Sequence, residues 1–533
     1  MRLRLFQCAL LLFTFVFVSS SSHLNPAFLL SQGLEKQQPY LLWQAYVLGA
    51  EDADDALFEY SVSASSPEPW LAMLAKSGHV ISSVYLADNA TNKQTQAKYY
   101  ALAAQQGHAR AQFEYALLHD TNINGMLRFL KASAKQAYSP AIIAYAKHLH
   151  ANEYTNDKVN EDEVLYWLEK ASLLDAESAI KQAKRLWNKN NKEQAIAKFM
   201  LAKEIGSTRA DRYIDILQNY AVQPVTSVFA PQQQQTKCLQ EVQALAFSLE
   251  SMLQAVEMRE KFLVDNRMSS LGICLQKPIW LDGEQVRCAF DPKSGRNTCD
   301  FYPLVSQKSA PSFSHLVFFV ERGKAYVNNG AMYIDLADEY SVFVHELAHF
   351  VGFVDEYTLS ESAAEHYCLA DTAPNLLVHD PISEKAKGKL DWWRRLFAQT
   401  QFAQAQAGAL EQRKNSQQFV SLTENTNYVE NEDKVGNMDS QQASEQNVIP
   451  SLSIAPSRSC KKLDLQVFKP SADITFLEHH DTENIPELYL LMWQALLQQQ
   501  AAEKPLIKLF LEAANQSKDA DLIDFWADAY YSL

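Results

Sequence analysis

Apolar side chains recur with helical spacing through the first half of the chain, and from about residue 40 to 217 that pattern itself repeats at roughly thirty residues. The clearest copies are AKYYALAAQQGHARAQFEYALLHD from Ala97, MLRFLKASAKQAYSPAIIAYAKHLH from Met126, VLYWLEKASLLDAESAIKQAKRLW from Val164 and AIAKFMLAKEIGSTRADRYIDIL from Ala195. A worn copy, PWLAMLAKSGHVISSVYLADN, starts at Pro69. Each predicts an amphipathic helix, a tight turn at Gly78, Gly107, Ala137, Asp175 or Gly206, and a second helix whose alanines permit close packing. The stretch AVQPVTSVFAPQQQQTK, residues 221–237, breaks this periodicity with prolines and a glutamine run and reads as a linker. Beyond it the pattern is mixed. Leu239 to Phe262 reads as one long helix, LVFFVE and KAYVNNGAMYIDL read as strands, and a helix follows at once. Gln401 to Asn447 is polar and reads as a long loop, after which PELYLLMWQALLQQQAA and IDFWADAYYSL return to helix.

The length of 533 residues exceeds one ordinary core, so several domains are expected. A balance of 48 basic against 63 acidic side chains, net -15, argues against a nucleic-acid partner, and no polybasic patch marks a membrane surface. Residues 1–22 have the form of a secretory signal: Arg2 and Arg4, an apolar run from Leu5 to Val18, and a small-residue exit at Ser19 to Ser22. The run falls short of the about 20 apolar residues that span a bilayer, so cleavage and a secreted or periplasmic address are expected, without stable membrane insertion. Cys8 leaves with that segment. Cys238, Cys274, Cys288, Cys299, Cys368 and Cys460 remain, an even set that predicts disulfides confined to the second half. Cys288 to Cys299 is the first pairing expected, because these two bracket the turn-rich DPKSGRNT; the rest stay open. With no CxxC pair, a cysteine-held zinc is not expected.

The segment AAQQGHARAQFEYA resembles the Sel1-like repeat family, a short relative of the tetratricopeptide repeats, over roughly a third of the chain. The resemblance implies a superhelical scaffold that binds other proteins; the alternative is a helical spacer. The repeats hold no cluster of residues able to do chemistry.

Chemistry concentrates in HELAHFVGFVDEY. His345 and His349 stand four apart, so on a helix they differ by about 40° of rotation and project from adjacent turns of one face. Two imidazoles then meet one ion, and zinc suits them. Gly352 is where such a helix can stop and reverse, and Asp355 after the turn returns to the ion as third ligand. Glu346, one step round the helix, reaches a metal-bound water as general base. The spacing HExxHxxGxxD resembles the metzincin class of zinc peptidases with aspartate in place of the usual third histidine, and the DEY ending is similar to IgA-peptidase-like metallopeptidases. That resemblance implies Zn2+, peptide-bond hydrolysis, a protein or peptide substrate, a sheet-edge strand for extended substrate in KAYVNNGAMYIDL, and a methionine turn beneath the metal. Met438, in VGNMDS, is the candidate for that turn; Met492 reads as core. Tyr357 is placed to approach the site or to pack beside it. Glu365 and Glu356 are the alternatives for third ligand, and the EHHD cluster with His479, His480 and Asp481 reads as a solvated loop.

The expected architecture is multidomain: a signal over 1–22, an all-α helical-hairpin solenoid over 23–220, a linker over 221–237, an α+β zincin-like metallopeptidase domain over 238–484 and short C-terminal helices over 485–533. The expected function is a zinc metallopeptidase with a repeat region for a protein partner. The alternatives are a repeat adaptor whose zinc domain is inactive or structural, and a zinc amidase acting on a non-protein substrate.

Overall fold

The structure, a computed structural model, describes residues 25–64, 68–118, 123–152, 160–230, 238–378, 384–399, 452–500 and 504–532. The expected signal, the polar stretch from Gln401 to Asn447 and Met438 lie outside them. The chain divides into two compact units, residues 1–214 and 215–533.

The first unit is an array of helical hairpins. Glu68–Lys76 and Val80–Asp88 form one pair; Lys93–Gln105 with Ala109–Leu118, Ile123–Lys135 with Ser139–Asn152, and Glu161–Ser172 with Ala176–Asn188 form the next three. Lys192–Glu204 with Thr208–Asn219 closes the series. The turns fall where glycine was expected to permit them: Gly78, Gly107 and Gly206 have φ of 101°, 89° and 107°. Asp175 works differently, as an N-cap whose carboxylate accepts from Ser178 N at 2.8 Å. The alanines pack as read, with Ala103, Ala104 and Ala111 in one buried cluster and Ala134, Ala141, Ala146 and Ala171 in another. Three further helices, Pro26–Lys36, Pro39–Val47 and Ala53–Ser63, precede the recognisable copies.

The second unit is α+β. Its main sheet runs β2 (Ile273–Leu275), β1 (Gln240–Ala246), β6 (His315–Phe319), β8 (Ala331–Ile334), β7 (Tyr326–Asn328), with β3 (Ile279–Trp280) also on β1. All neighbours are parallel except β7, which runs antiparallel to β8 at the edge. The strands expected in LVFFVE and KAYVNNGAMYIDL are β6, β7 and β8. A disulfide-closed hairpin of β4 (Cys288–Asp291) and β5 (Arg296–Cys299) stands beside this edge. Cys238–Cys274 and Cys368–Cys460 complete the pairing that spacing left open.

Three sequence expectations are corrected. Leu239 to Phe262 is not one helix: QEVQALA is central strand β1, and the helix Leu249–Val264 starts only at the Ser248 capping box. Helix-forming residues take the extended form there because strands lie on both sides and most of the segment is buried. Residues 221–230 are not a free linker. Val225 and Val228 are buried with Leu245, Phe318 and Trp526, and Gln223 N donates to the Trp280 carbonyl at 2.7 Å. The C-terminal helices, set off from the α+β domain at 485, pack into it: Leu506, Leu509, Phe510 and Trp526 belong to that same cluster under the sheet.

Candidate metal centre

The helix Tyr340–His349 follows β8 and buries Phe343, Val344, Leu347 and Ala348, with Phe343 stacked on Phe319 of β6. Its end is set by Gly352, at φ 85°: Phe353 N reaches back to the Ala348 carbonyl at 3.3 Å and Gly352 N to the His349 carbonyl at 3.0 Å. That pair of bonds is a Schellman closure, which needs a left-handed residue after the helix cap. The reversal carries Asp355 back to the helix face.

Three atoms meet there. His345 Nε2 and His349 Nε2 lie 3.1 Å apart, and Asp355 Oδ1 lies 2.9 Å from the first and 3.3 Å from the second. The other ring nitrogens face away: His345 Nδ1 donates to the Phe476 carbonyl at 2.7 Å and His349 Nδ1 to the Phe353 carbonyl at 2.8 Å. With both Nδ1 protons so engaged, the neutral imidazoles turn their Nε2 lone pairs on each other and on a carboxylate. Such a constellation is repulsive until a cation or an added proton enters. A tetrahedral ion with bonds of about 2.0 to 2.1 Å separates its ligand atoms by about 3.3 Å, close to the spacing present. The donor set of two imidazoles and a carboxylate, each ring oriented by a carbonyl, fits zinc.

Charge reports the same convergence. Burial opposes ionisation of Asp355, but the hydrogen bonds and charges of His345 and His349 outweigh it and hold the carboxyl far below its usual range. Burial likewise opposes charge on His349, yet Asp355 and Glu346 push its pKa up to about 9.

Glu346 is 6% exposed, and its Oε2 is a buried oxygen with no hydrogen-bond partner among the described residues. Burial raises its pKa first; His349 and His345 counter this. Donor atoms of His345, Glu346 and His349 lie within 4.8 Å of one another, so Glu346 is a possible fourth contact. At 3.9 Å from His349 Nε2 it stands farther off than Asp355, at the distance of a group acting on a ligand of the ion.

The alternatives for third ligand go elsewhere. Glu356 points into a buried network, accepting from Thr475 Oγ1 at 2.5 Å, Tyr489 Oη at 2.6 Å and Asn375 Nδ2 at 3.0 Å, with Lys469 Nζ at 3.6 Å. Glu365 is exposed in a short π-helical turn. Tyr357 sits against Asp355, and burial first, then the Asp355 charge, raises its phenol. His479, His480 and Asp481 are exposed, as expected of a solvated loop. Met492 is buried core.

Among the described residues the turn Thr475–Glu478 adjoins His345, while Met438, the candidate for a methionine turn, lies outside them. Phe476 supplies the carbonyl on His345, and Leu477 accepts from Glu356 N at 2.9 Å. Sequence reasoning missed this turn, the Glu356 network and Ser459, whose hydroxyl donates to the Asp355 carbonyl at 2.7 Å. Carbonyl partners have no residue signature. Only the tryptophan and tyrosine spacing around Tyr489 and Trp493 hinted that the segment is buried.

No protein-family model and no curated protein matches the chain. Among solved structures, the chain is similar to a Sel1 repeat protein from Oxalobacter formigenes, at 17% identity over 34% of this chain and 58% of that one, with a TM-score of 0.26. It is also similar to c5321, a protective antigen present in uropathogenic Escherichia coli strains displaying an SLR fold, at 15% identity over 47% of this chain and 56% of that one, with a TM-score of 0.27. The chain thus spans little more than half the length of each. Among the described residues no helix is long and apolar enough to cross a membrane.

Proposed function

We propose that the second unit is a zinc-dependent peptidase, with His345, His349 and Asp355 as ligands and Glu346 as general base. The observation that supports this most directly is the convergence of three donor atoms, with both imidazoles turned by carbonyls and Asp355 Oδ1 at 2.9 and 3.3 Å from their Nε2 atoms. When bound, zinc supplies Lewis acidity to a carbonyl and acidifies a water. Glu346 then does the proton work of the chain itself: its buried carboxylate takes a proton from the attacking water and returns it to the leaving amine. Its raised pKa, set by burial, suits both halves of that exchange. Among the described residues no further strand pairs with edge strand β7, which is proposed as the side of the sheet that takes extended polypeptide. The repeat array, which carries no such chemistry, is proposed as a surface for a protein partner.

Elemental analysis and a protein-digestion assay test this reading. Purified wild type is expected to hold one zinc per chain and to digest unfolded protein. Glu346→Ala is expected to keep the zinc and lose about 10²- to 10⁴-fold in cleavage rate. Bound zinc with no Glu346-dependent cleavage of any polypeptide would favour the adaptor or an amidase of other substrates.

A further inference from the structure

Glu356 follows the candidate ligand Asp355 directly, yet its side chain leaves the metal centre for the core, where it is 1% exposed. Both of its oxygens are occupied. Oε1 accepts from Asn375 Nδ2 at 3.0 Å and Tyr489 Oη at 2.6 Å; Oε2 accepts from Thr475 Oγ1 at 2.5 Å, with Lys469 Nζ 3.6 Å away. Asn375, Thr475 and Tyr489 are fully buried too. A carboxylate taken this far from water is costly, and an apolar side chain of similar volume would fill the same space at less cost. Here the carboxylate is a junction between segments that lie far apart along the chain.

Two of those segments support candidate ligands. Thr475 begins the turn whose Phe476 carbonyl accepts from His345 Nδ1 at 2.7 Å. Both neighbours of Phe476 bond to Glu356: Thr475 through its hydroxyl, and Leu477 through its carbonyl, which accepts from Glu356 N at 2.9 Å. Asn375 does the same for the ligand loop. Its Oδ1 accepts from Val354 N at 3.0 Å, and its Nδ2 donates to the Val354 carbonyl at 2.8 Å as well as to Glu356. Val354 and Glu356 flank Asp355, so the residue that presents Oδ1 is held through both neighbours. Tyr489 stands apart from these supports, on the helix Glu487–Gln500. Its ring packs against Phe476 at 6.1 Å, a contact that phenylalanine would keep without the hydroxyl.

We propose that Glu356 is a positioning residue of the metal centre: its carboxylate clamps the 475–477 turn to the Asp355 loop, and so sets how His345 Nε2 and Asp355 Oδ1 meet on one ion. Glu356 itself touches neither ion nor substrate. The inference rests on the zinc half of the peptidase reading and is independent of which bond is cleaved. Without the clamp, the Phe476 carbonyl and the 354–356 backbone move separately, and the ring of His345 loses its fixed angle to Asp355.

The test uses the full chain and three readouts: zinc affinity by chelator competition, the visible d–d absorption of the Co2+-loaded protein, and metal-free stability from urea midpoints. Glu356→Gln replaces one accepting oxygen by an amide donor at nearly constant volume. Thr475→Val cuts the bond to the turn that orients His345, and Tyr489→Phe cuts a bond of the same carboxylate that leads to no ligand. Glu356→Gln and Thr475→Val are each expected to weaken zinc binding by about tenfold and to alter the cobalt bands, the signature of changed ligand geometry. Tyr489→Phe should lower metal-free stability yet keep wild-type affinity and bands. Should Glu356→Gln fail to fold, Thr475→Val and Tyr489→Phe decide between them. If Tyr489→Phe weakens zinc as much as Thr475→Val at equal loss of stability, Glu356 only stabilises the fold and the inference falls. It falls equally if folded Glu356→Gln or Thr475→Val keeps wild-type affinity and bands, and the zinc reading then stands. Wild type that binds neither Zn2+ nor Co2+ overturns both.

Discussion

Three carboxylates follow the HELAH helix closely along the chain, and what their oxygens touch separates them. Glu356 is filled by Thr475, Tyr489 and Asn375, Glu365 faces solvent, and Asp355 Oδ1 meets the Nε2 atoms of His345 and His349. Asp355→Ala is therefore expected to weaken zinc binding by at least about a hundredfold in a chelator competition titration, while Glu365→Ala leaves it unchanged. The opposite result would assign the site to a different class. That Asp355 returns to the histidines was legible in the sequence because Gly352 fixed where the chain turns. The fate of Glu356 was not, since Thr475, Tyr489 and Asn375 lie 119, 133 and 19 residues away along the chain. A second carboxylate near the site is sensitive to pH. Asp338 is pushed up to about 7 by burial first, against the backbone hydrogen bond from Asp335 and with the charges of Asp335 and Glu346 adding to the rise. The folded chain keeps that proton where the unfolded chain, near 3.8, has lost it. The stability this confers is complete below the unfolded value and is lost as pH rises through about 7. Asp338→Asn in chelator-treated protein should accordingly gain stability over wild type as pH goes from 4 to 8, read from urea midpoints. A difference that stays constant across that range would refute the assignment.

Elements hold the ligand loop by two devices that act from opposite sides. On one side, the Gly352 turn closes the helix; an added Cβ there meets nothing nearer than Pro374 Cδ at 3.9 Å, so substitution costs only the left-handed backbone. Gly352→Ala should lose about 1 kcal/mol of stability and, because the turn aims both Asp355 and the Phe353 carbonyl, weaken zinc binding as well. On the other side, Cys460 is tied to Cys368 across a separation of 92 residues, and its neighbours reach the loop: Ser459 Oγ donates to the Asp355 carbonyl and Ser457 Oγ to that of Glu356. Replacing both cysteines by serine should cost about 4 to 5 kcal/mol by loop-entropy reasoning and lower zinc affinity by about tenfold. Unchanged affinity would separate the staple from the site. The sequence made the Cys288–Cys299 hairpin legible because its partners bracket a short turn, whereas 368–460 spans too long a stretch for spacing to select it. Strand β1 was illegible for a related reason. QEVQALA carries helix-forming residues, and only the strands β2, β3 and β6 on either side, brought in from beyond residue 270, decide its conformation.

At the scale of the whole molecule, the two units obey different rules of stability. The helical-hairpin array derives its stability from each hairpin packing on the next, with alanine-rich clusters such as Ala103, Ala104 and Ala111. The second unit gathers a mixed sheet and C-terminal helices around one buried cluster, carries three disulfides, of which Cys368–Cys460 lies in a separate cluster, and contains the three candidate ligands. An ion that binds only the folded second unit adds to its stability by mass action, about 4 kcal/mol when free ion exceeds the dissociation constant a thousandfold. For a unit of this size that corresponds to a midpoint shift of about 8 °C, taking about 2 °C for each kcal/mol. Calorimetry of the full chain should therefore resolve two transitions, of which a strong chelator lowers one and leaves the other in place. Asp355→Ala should reproduce the lowered transition without chelator, and chelator should then add nothing further. If chelation instead moves both transitions together, zinc stability is shared between the units, and the repeats enter the energetics of the metal centre rather than serving only as a surface for partners.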